Sequence, residues 1–138
     1  MRLEHINLVV NDMETTLKFY KVAFPHWQVR VSGESEWYGK KRHWCHFGDD
    51  YNYLSLNDNG VGENRDLKGH TPGLAHFGYE TKDLDGLINR LKDSGYQPRT
   101  FGQENAWRKN AYYIDPDGNE VEFIEYLSDL PKQRNNND

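Results

Sequence analysis

Apolar positions along this chain fall into two rounds of alternation, each followed by a helical stripe and then by further strand-like segments. Leu3–Val10 alternates, with Ile6, Leu8 and Val10 on one side and His5 and Asn7 on the other. Met13, Leu17, Tyr20 and Phe24 then recur at helical spacing; Asp12 suits the N-cap and Pro25 ends the run. Strand character returns over Trp27–Trp37, Arg42–Phe47 and Tyr51–Leu56. Past the Gly- and Asp-rich stretch Asn57–Gly73 the order repeats. Leu74–Thr81 alternates, Leu84, Leu87, Ile88 and Leu91 make a helix between Asp83 and Gly95, and strands follow near Pro98–Phe101, Ala111–Ile114 and Glu120–Leu127. Each half reads β-α-β-β-β.

The halves match residue for residue at their starts. Leu3 with Leu74, His5 with His76 and Asp12 with Asp83 are each 71 residues apart. A period of half the chain means two similar modules, here about 1–57 and 73–128, rather than a solenoid. Strand parity then collects the polar positions on one side: His5 and Asn7, His76 and Gly78, Tyr53 and Ser55, Glu120 and Glu122. The opposite side, Ala75, Phe77, Tyr79, Leu54, Leu56, Val121 and Phe123 among it, is expected to pack on the helices.

Composition narrows the function classes. With 138 residues, 17 Lys+Arg against 22 Asp+Glu and a net charge of -5, the chain is the size of one domain and lacks the basic stripe a nucleic-acid binder needs. No stretch approaches the roughly 18–20 apolar residues of a membrane-spanning helix, and Met1-Arg2-Leu3-Glu4 opens without a signal-peptide core. Cys45 is alone, which excludes an internal disulfide and points to a reducing, cytoplasmic setting. Mean hydropathy is -1.01, but aromatic residues at 14% supply large buried areas from few positions. From Pro131 onward the chain has nothing to bury, and 129–138 is expected to fray as a flexible tail.

The paired β-α-β-β-β modules, a His in the first strand of each, and Asp115-Pro116-Asp117-Gly118-Asn119-Glu120-Val121-Glu122 resemble the vicinal-oxygen-chelate superfamily, the glyoxalase, bleomycin-resistance and extradiol-dioxygenase group. The resemblance runs from about Leu3 to Tyr126. It implies an α+β fold with a curled eight-stranded mixed sheet around a cavity, and metal ligands on the first and last strands of each module. Those positions fall on His5, His76 and Glu122, with Glu122 also the catalytic candidate. The fourth falls on Ser55 when Gly48–Ser55 is aligned with Asp115–Glu122, where four-ligand members carry a carboxylate. Three ligands and open positions suit Fe, Mn, Ni or Zn, and such an ion acts as a Lewis acid on substrate oxygens.

The implied function is a divalent-metal-dependent enzyme on a small oxygen-bearing substrate, of lyase, dioxygenase or thiol-transferase type. Glyoxalase I fits least, because Ser55 cannot serve as a second carboxylate base. The alternative is a metal-free small-molecule binding module of the bleomycin-resistance type. A homodimer is expected in either case, from the family and from sheet edges that a partner could cover.

Other residues admit plainer readings. His43 and His46 lie on opposite strand faces and cannot both enter one site. Cys45 reads as packing. Tyr53, Tyr113, Trp37 and Trp107 serve either as an aromatic wall or as core, and Arg108 and Lys109 either hold an anionic group or lie in a solvated loop. Asp115, Asp117 and Gly118 read as turn formers, and His26, His70 and Glu125 have no assigned role.

Overall fold

A computed structural model describes residues 1–137. The chain divides into two compact units, residues 1–63 and 64–138. The first contains β1 (His5–Val9), α1 (Met13–Ala23), β2 (Gln28–Trp37), β3 (Lys40–Gly48) and β4 (Tyr53–Asn57). The second contains β5 (Phe77–Glu80), α2 (Leu84–Asp93), β6 (Thr100–Phe101), β7 (Arg108–Ile114), β8 (Glu120–Tyr126) and α3 (Pro131–Arg134). The eight strands are hydrogen-bonded as two four-stranded mixed sheets, in the orders β1-β4-β3-β2 and β5-β8-β7-β6. In each, the first strand runs parallel to its neighbour and the remaining pairs are antiparallel.

The repeat is carried down to single hydrogen bonds. Asn7 pairs with Ser55 in the first unit and Gly78 with Glu122 in the second. Asn7 to Gly78 is the offset of 71, and Ser55 to Glu122 an offset of 67. Ser55 and Glu122 are therefore register equivalents, as the alignment of the two modules requires. The N–H of Val10 donates to Asn57 and that of Thr81 to Ile124, each at 2.8 Å. Asp12 caps α1 by accepting from Thr15 at 2.7 Å, and Asp83 caps α2 by accepting from Gly86 at 2.8 Å. Gly95, at φ 89°, follows the end of α2 in the left-handed region that costs glycine least.

Each core lies between a helix and one face of its own sheet. Leu8, Phe47, Leu54 and Leu56 are buried in the first unit, and Phe77, Ala111, Val121 and Phe123 in the second. Leu84, Leu87 and Leu91 are the buried face of α2, as its periodicity predicts. The face of α1 departs from the expected stripe. Thr16, Phe19, Tyr20 and Ala23 are buried, whereas Met13, Leu17 and Phe24 are half-exposed. Apolar residues on α1 cover a wide arc, and Phe19 and Tyr20, both fully buried, draw the centre of contact their way.

The end of the chain is held by charge rather than by burial. Arg134 of α3 pairs with Glu80 at 2.7 Å and sits 3.7 Å from the centre of the Tyr126 ring. Arg108 donates to the backbone carbonyl of Asn136 at 3.0 Å. The described part of the segment expected to fray thus has defined partners, supplied by cations that hydropathy does not weigh; Asp138 lies outside the described residues. Among the described residues no helix is long and apolar enough to cross a membrane.

Candidate metal and ligand-binding faces

The functional candidates sit on the sheet face that each helix leaves uncovered. In the second unit this face is polar and closely knit. His76 precedes β5 by one residue rather than lying within it, since the ladder with β8 begins at Phe77 and Val121. Its Nε2 is 3.2 Å from Oε2 of Glu122, and its Nδ1 is 3.8 Å from Glu120. The amide of Asn110 donates to Oε1 of Glu122 at 2.7 Å and to the Tyr112 hydroxyl at 3.0 Å. Tyr112 lies beside Glu122, and burial followed by that carboxylate raises its phenol above the ordinary tyrosine range. Arg99 pairs with Glu120. Both carboxylates are buried, so each needs the compensation these neighbours provide.

The equivalent face of the first unit is aromatic. The ring of His5 stacks on Tyr53 with centroids 4.7 Å apart, and His46 stacks on the same tyrosine at 4.4 Å. Trp44 adjoins His46 at 5.4 Å, and the Arg30 guanidinium lies 4.8 Å from the centre of the Tyr53 ring. Burial pushes the His46 imidazole down, with Arg30 and His5 adding to the effect. Nδ1 of His5 lies 2.5 Å from the Glu4 carboxylate, an arrangement that fixes the ring. Ser55 is buried between its partners Asn7 and His46 in the ladder.

Register makes these faces counterparts. His46 faces Ser55 as Tyr112 faces Glu122, and Trp44 faces Asn57 as Asn110 faces Ile124. Tyr53 occupies the position of Glu120, opposite Gly48 as Glu120 is opposite Ile114. A glycine, Gly33 within β2 and Gly102 just past β6, lets the Trp44 and Asn110 side chains lie flat. A Cβ at Gly33 would fall 2.9 Å from the Trp44 ring, and one at Gly102 would collide with the Asn110 amide.

Several other candidates resolve into structural roles. His43 points away from His46, and its two ring nitrogens meet Glu34 at 3.0 Å and Asp58 at 2.9 Å. The Asp58 hydrogen bond, then the charges of Asp58 and Glu34, raise its imidazole. Cys45 is buried and its thiol is pushed up to about 11, in keeping with packing. Tyr113 belongs to the core of the second unit rather than to an aromatic wall. Trp37 stacks under Arg42, 4.6 Å from its guanidinium. Arg108 is engaged by the chain's end, and Lys109 by Asp85 at 3.1 Å and Glu125 at 3.3 Å. Glu125, for which the sequence suggested no role, also accepts from the N–H of Leu84 at the start of α2.

Could His5, His76 and Glu122 accommodate a divalent ion? The 3.2 Å between His76 and Glu122 is the separation of two adjacent ligands that each approach one ion at about 2.0–2.2 Å. Asn110 orients the carboxylate from behind, as outer partners of metal ligands do. The donor set fits. Among the described residues, no group of three or more His, Cys, Asp or Glu side chains is drawn together as a metal centre.

Two βαβββ units with this register define a fold shared with known proteins, and the chain belongs to the Glyoxalase/Bleomycin resistance protein/Dioxygenase superfamily, whose model matches residues 2–123. It is similar in fold to a glyoxylase/bleomycin resistance protein/dioxygenase domain from Frankia sp. EAN1pec, with 22% identity, TM-score 0.74, and coverage of 94% of this chain and 95% of that one. Lactoylglutathione lyase from Agrobacterium tumefaciens is similar at 20% identity and TM-score 0.62, over 90% of this chain and 92% of that one. So is the fosfomycin resistance protein FosX from Listeria monocytogenes, complexed with Mn(II) and sulfate ion, at 18% identity and TM-score 0.63, over 96% of each chain. No curated protein sequence matches the chain.

Proposed function

We propose that this protein is a divalent-metal-dependent enzyme acting on a small oxygen-bearing substrate, with the ion held by His5, His76 and Glu122. The observation that carries the reading is the register equivalence of Ser55 and Glu122, together with the 3.2 Å approach of His76 to Glu122. Two histidines at matching places in a repeat, and a carboxylate at only one of the two last-strand positions, make a three-ligand set with open positions. The similarity to a FosX structure holding Mn(II) adds support. The ion would supply Lewis-acid polarisation of substrate oxygens. Asn110, itself bonded to Tyr112, keeps the Glu122 carboxylate oriented, and Glu4 does the same for His5. The reading requires His5 to meet the His76–Glu122 pair on one ion, and a homodimer, with edge strands such as β1 and β5 covered by a second copy, is part of it.

The test is metal binding. Protein freed of metal and titrated with Mn(II), Fe(II), Ni(II) and Zn(II) should take up close to one ion per chain with at least one of them. His5→Ala, His76→Ala and Glu122→Gln should each weaken binding by 10-fold or more. Ser55→Glu should tighten it by adding a fourth ligand. If none of the four ions binds, or the variants bind as the parent does, the metal reading fails. A small molecule bound with no ion present would then favour the binding-module alternative. Sedimentation at micromolar concentration showing only a 16.3 kDa species would remove the dimer.

A further inference from the structure

We infer that the aromatic face of the first unit is an oxyanion subsite, so that the substrate is a small organic anion whose carboxylate or phosphonate group is received by Arg30. This deepens the proposed function, on whose assignment of His5 to the site it rests.

The first ground is how Arg30 reaches this face. Val29 pairs with Phe47 and Val31 with His46, so the β2–β3 ladder contains one extra residue, Arg30. A bulge of this kind places two side chains where a regular ladder has one, and bulges commonly serve to re-aim a side chain. Arg30 therefore stands beside Val31 opposite His46, with its guanidinium over Tyr53. The second ground is a comparison the molecule makes with itself. Arg99 is the counterpart of Arg30: its N–H donates to Tyr112 and the next residue, Thr100, pairs with Tyr112, the equivalent of His46. Arg99 is neutralised by Glu120, but in the first unit the equivalent of Glu120 is Tyr53. An aromatic ring takes the place of the carboxylate, and Arg30, among the described residues, lacks the ion pair that Arg99 has.

Nearby carboxylates are occupied elsewhere. Asp49, within electrostatic reach of Arg30, accepts from the backbone N–H groups of Tyr51 and Asn52 at 2.8 and 2.7 Å. Glu4 is engaged with His5. Among the described residues Arg30 makes no ion pair. A guanidinium positioned by an aromatic ring keeps its N–H edge for an incoming ligand and can bind an oxyanion through two parallel hydrogen bonds. The rings of Tyr53, His46 and Trp44 alongside offer apolar contact to the carbon skeleton that carries the anion.

Binding can be measured without the metal. In buffer containing EDTA, 15N-labelled protein is titrated with benzoate, with inorganic phosphate and with neutral benzamide, following backbone amides near Arg30, His46 and Tyr53. Benzoate or phosphate should bind at least 10-fold more tightly than benzamide. Arg30→Gln should abolish that preference, Arg30→Lys should retain part of it, and Arg99→Gln should leave it intact. A stronger response to benzoate assigns a carboxylate, and one to phosphate a phosphonate or phosphate group. Absence of any preference for the anions, its survival in Arg30→Gln, or equal loss in Arg99→Gln would overturn the proposal. Because the assay excludes metal, anion binding by a protein that fails the metal titration would leave the subsite standing and remove the metal reading alone.

Discussion

Asn110 offers the sharpest test of how the second unit holds a buried carboxylate. Its amide donates to both Glu122 and Tyr112, and it lies flat against Gly102. A hydrogen bond to a charged group contributes about 1.5–3 kcal/mol. Glu122 keeps His76 and Tyr112 as neighbours, so Asn110→Ala is expected to cost about 2 kcal/mol. Asn110→Asp sets two carboxylates together. At about 4 Å and an effective dielectric constant of about 20 the repulsion is roughly 4 kcal/mol before the side chains swing apart. It should therefore destabilise clearly more than alanine. Gly102→Ala tests the same contact from behind, because its methyl would displace the Asn110 amide. Urea unfolding in EDTA at pH 7.5 measures all three. In the Asn110→Ala background Gly102→Ala should become nearly harmless, since the group it displaces is gone. A cost for Asn110→Ala within about 0.5 kcal/mol of zero, against the range expected for such a bond, would refute the role given to Asn110. An undiminished cost of Gly102→Ala in that background would refute the close approach.

Two further outcomes follow from the first unit. His43, held between Glu34 and Asp58, has an imidazole raised above its ordinary value of 6.5. Its charged form therefore adds stability in full below about 6.5, and loses it as the pH rises through the raised folded value. His43→Gln should be less stable than the parent at pH 6 and nearly equal to it at pH 9; a gap that is constant between those values would show that the two contacts are not charge-dependent. Cys45, buried and raised to about 11, should react with a disulfide reagent at pH 8 only as fast as the protein opens. Labelling as rapid as that of an exposed thiol would mean that its burial is wrong.

What could be read in the sequence was whatever depends on a residue and its near neighbours. Strand parity, the two Asp caps and the offset of 71 needed only local rules, and the structure reproduces them as hydrogen bonds. The equivalence of Ser55 and Glu122 came from matching the turns before them. The first module closes its turn from Asp49 to Asn52 and the second from Asp115 to Asn119, a difference of one residue that moves the β3–β7 offset to 66, as between His46 and Tyr112. Features made by partners across strands were not legible. Nothing local to Arg99 announces Glu120, and nothing in Val29-Arg30-Val31 shows which of the three is extra to the ladder. The docking of Arg134 on Glu80 joins residues 54 apart, and a polar composition says only that such a segment lacks apolar surface.

The contrast between the two uncovered faces has a physical source. A helix-facing position must fill space in a close-packed layer, which is why Leu54 and Val121, or Phe47 and Tyr113, are both bulky and buried. A position on the other face has no helix to satisfy, so the same backbone can support very different chemistry there. Ser55 and Glu122, Tyr53 and Glu120, His46 and Tyr112, and Trp44 and Asn110 are four such pairs on one repeated ladder. In each of the pairs holding Glu120 or Glu122 the charge lies in the second unit, where Arg99, His76 and Asn110 accompany it. The first unit holds the rings and the guanidinium of Arg30, which makes no ion pair among the described residues. A buried carboxylate needs its cations and donors close by, and those donors must come from neighbouring strands. Introducing a carboxylate at Ser55 alone, among Asn7, His46 and Tyr53, would therefore lack the support that Glu122 has. Its stability should depend on an added metal ion, and measuring Ser55→Glu unfolding with and without Mn(II) separates a ligand position from a merely buried one. A large stabilisation by Mn(II) in the variant, beyond that in the parent, is the expected result; an equal response in both would place Ser55 away from any ion.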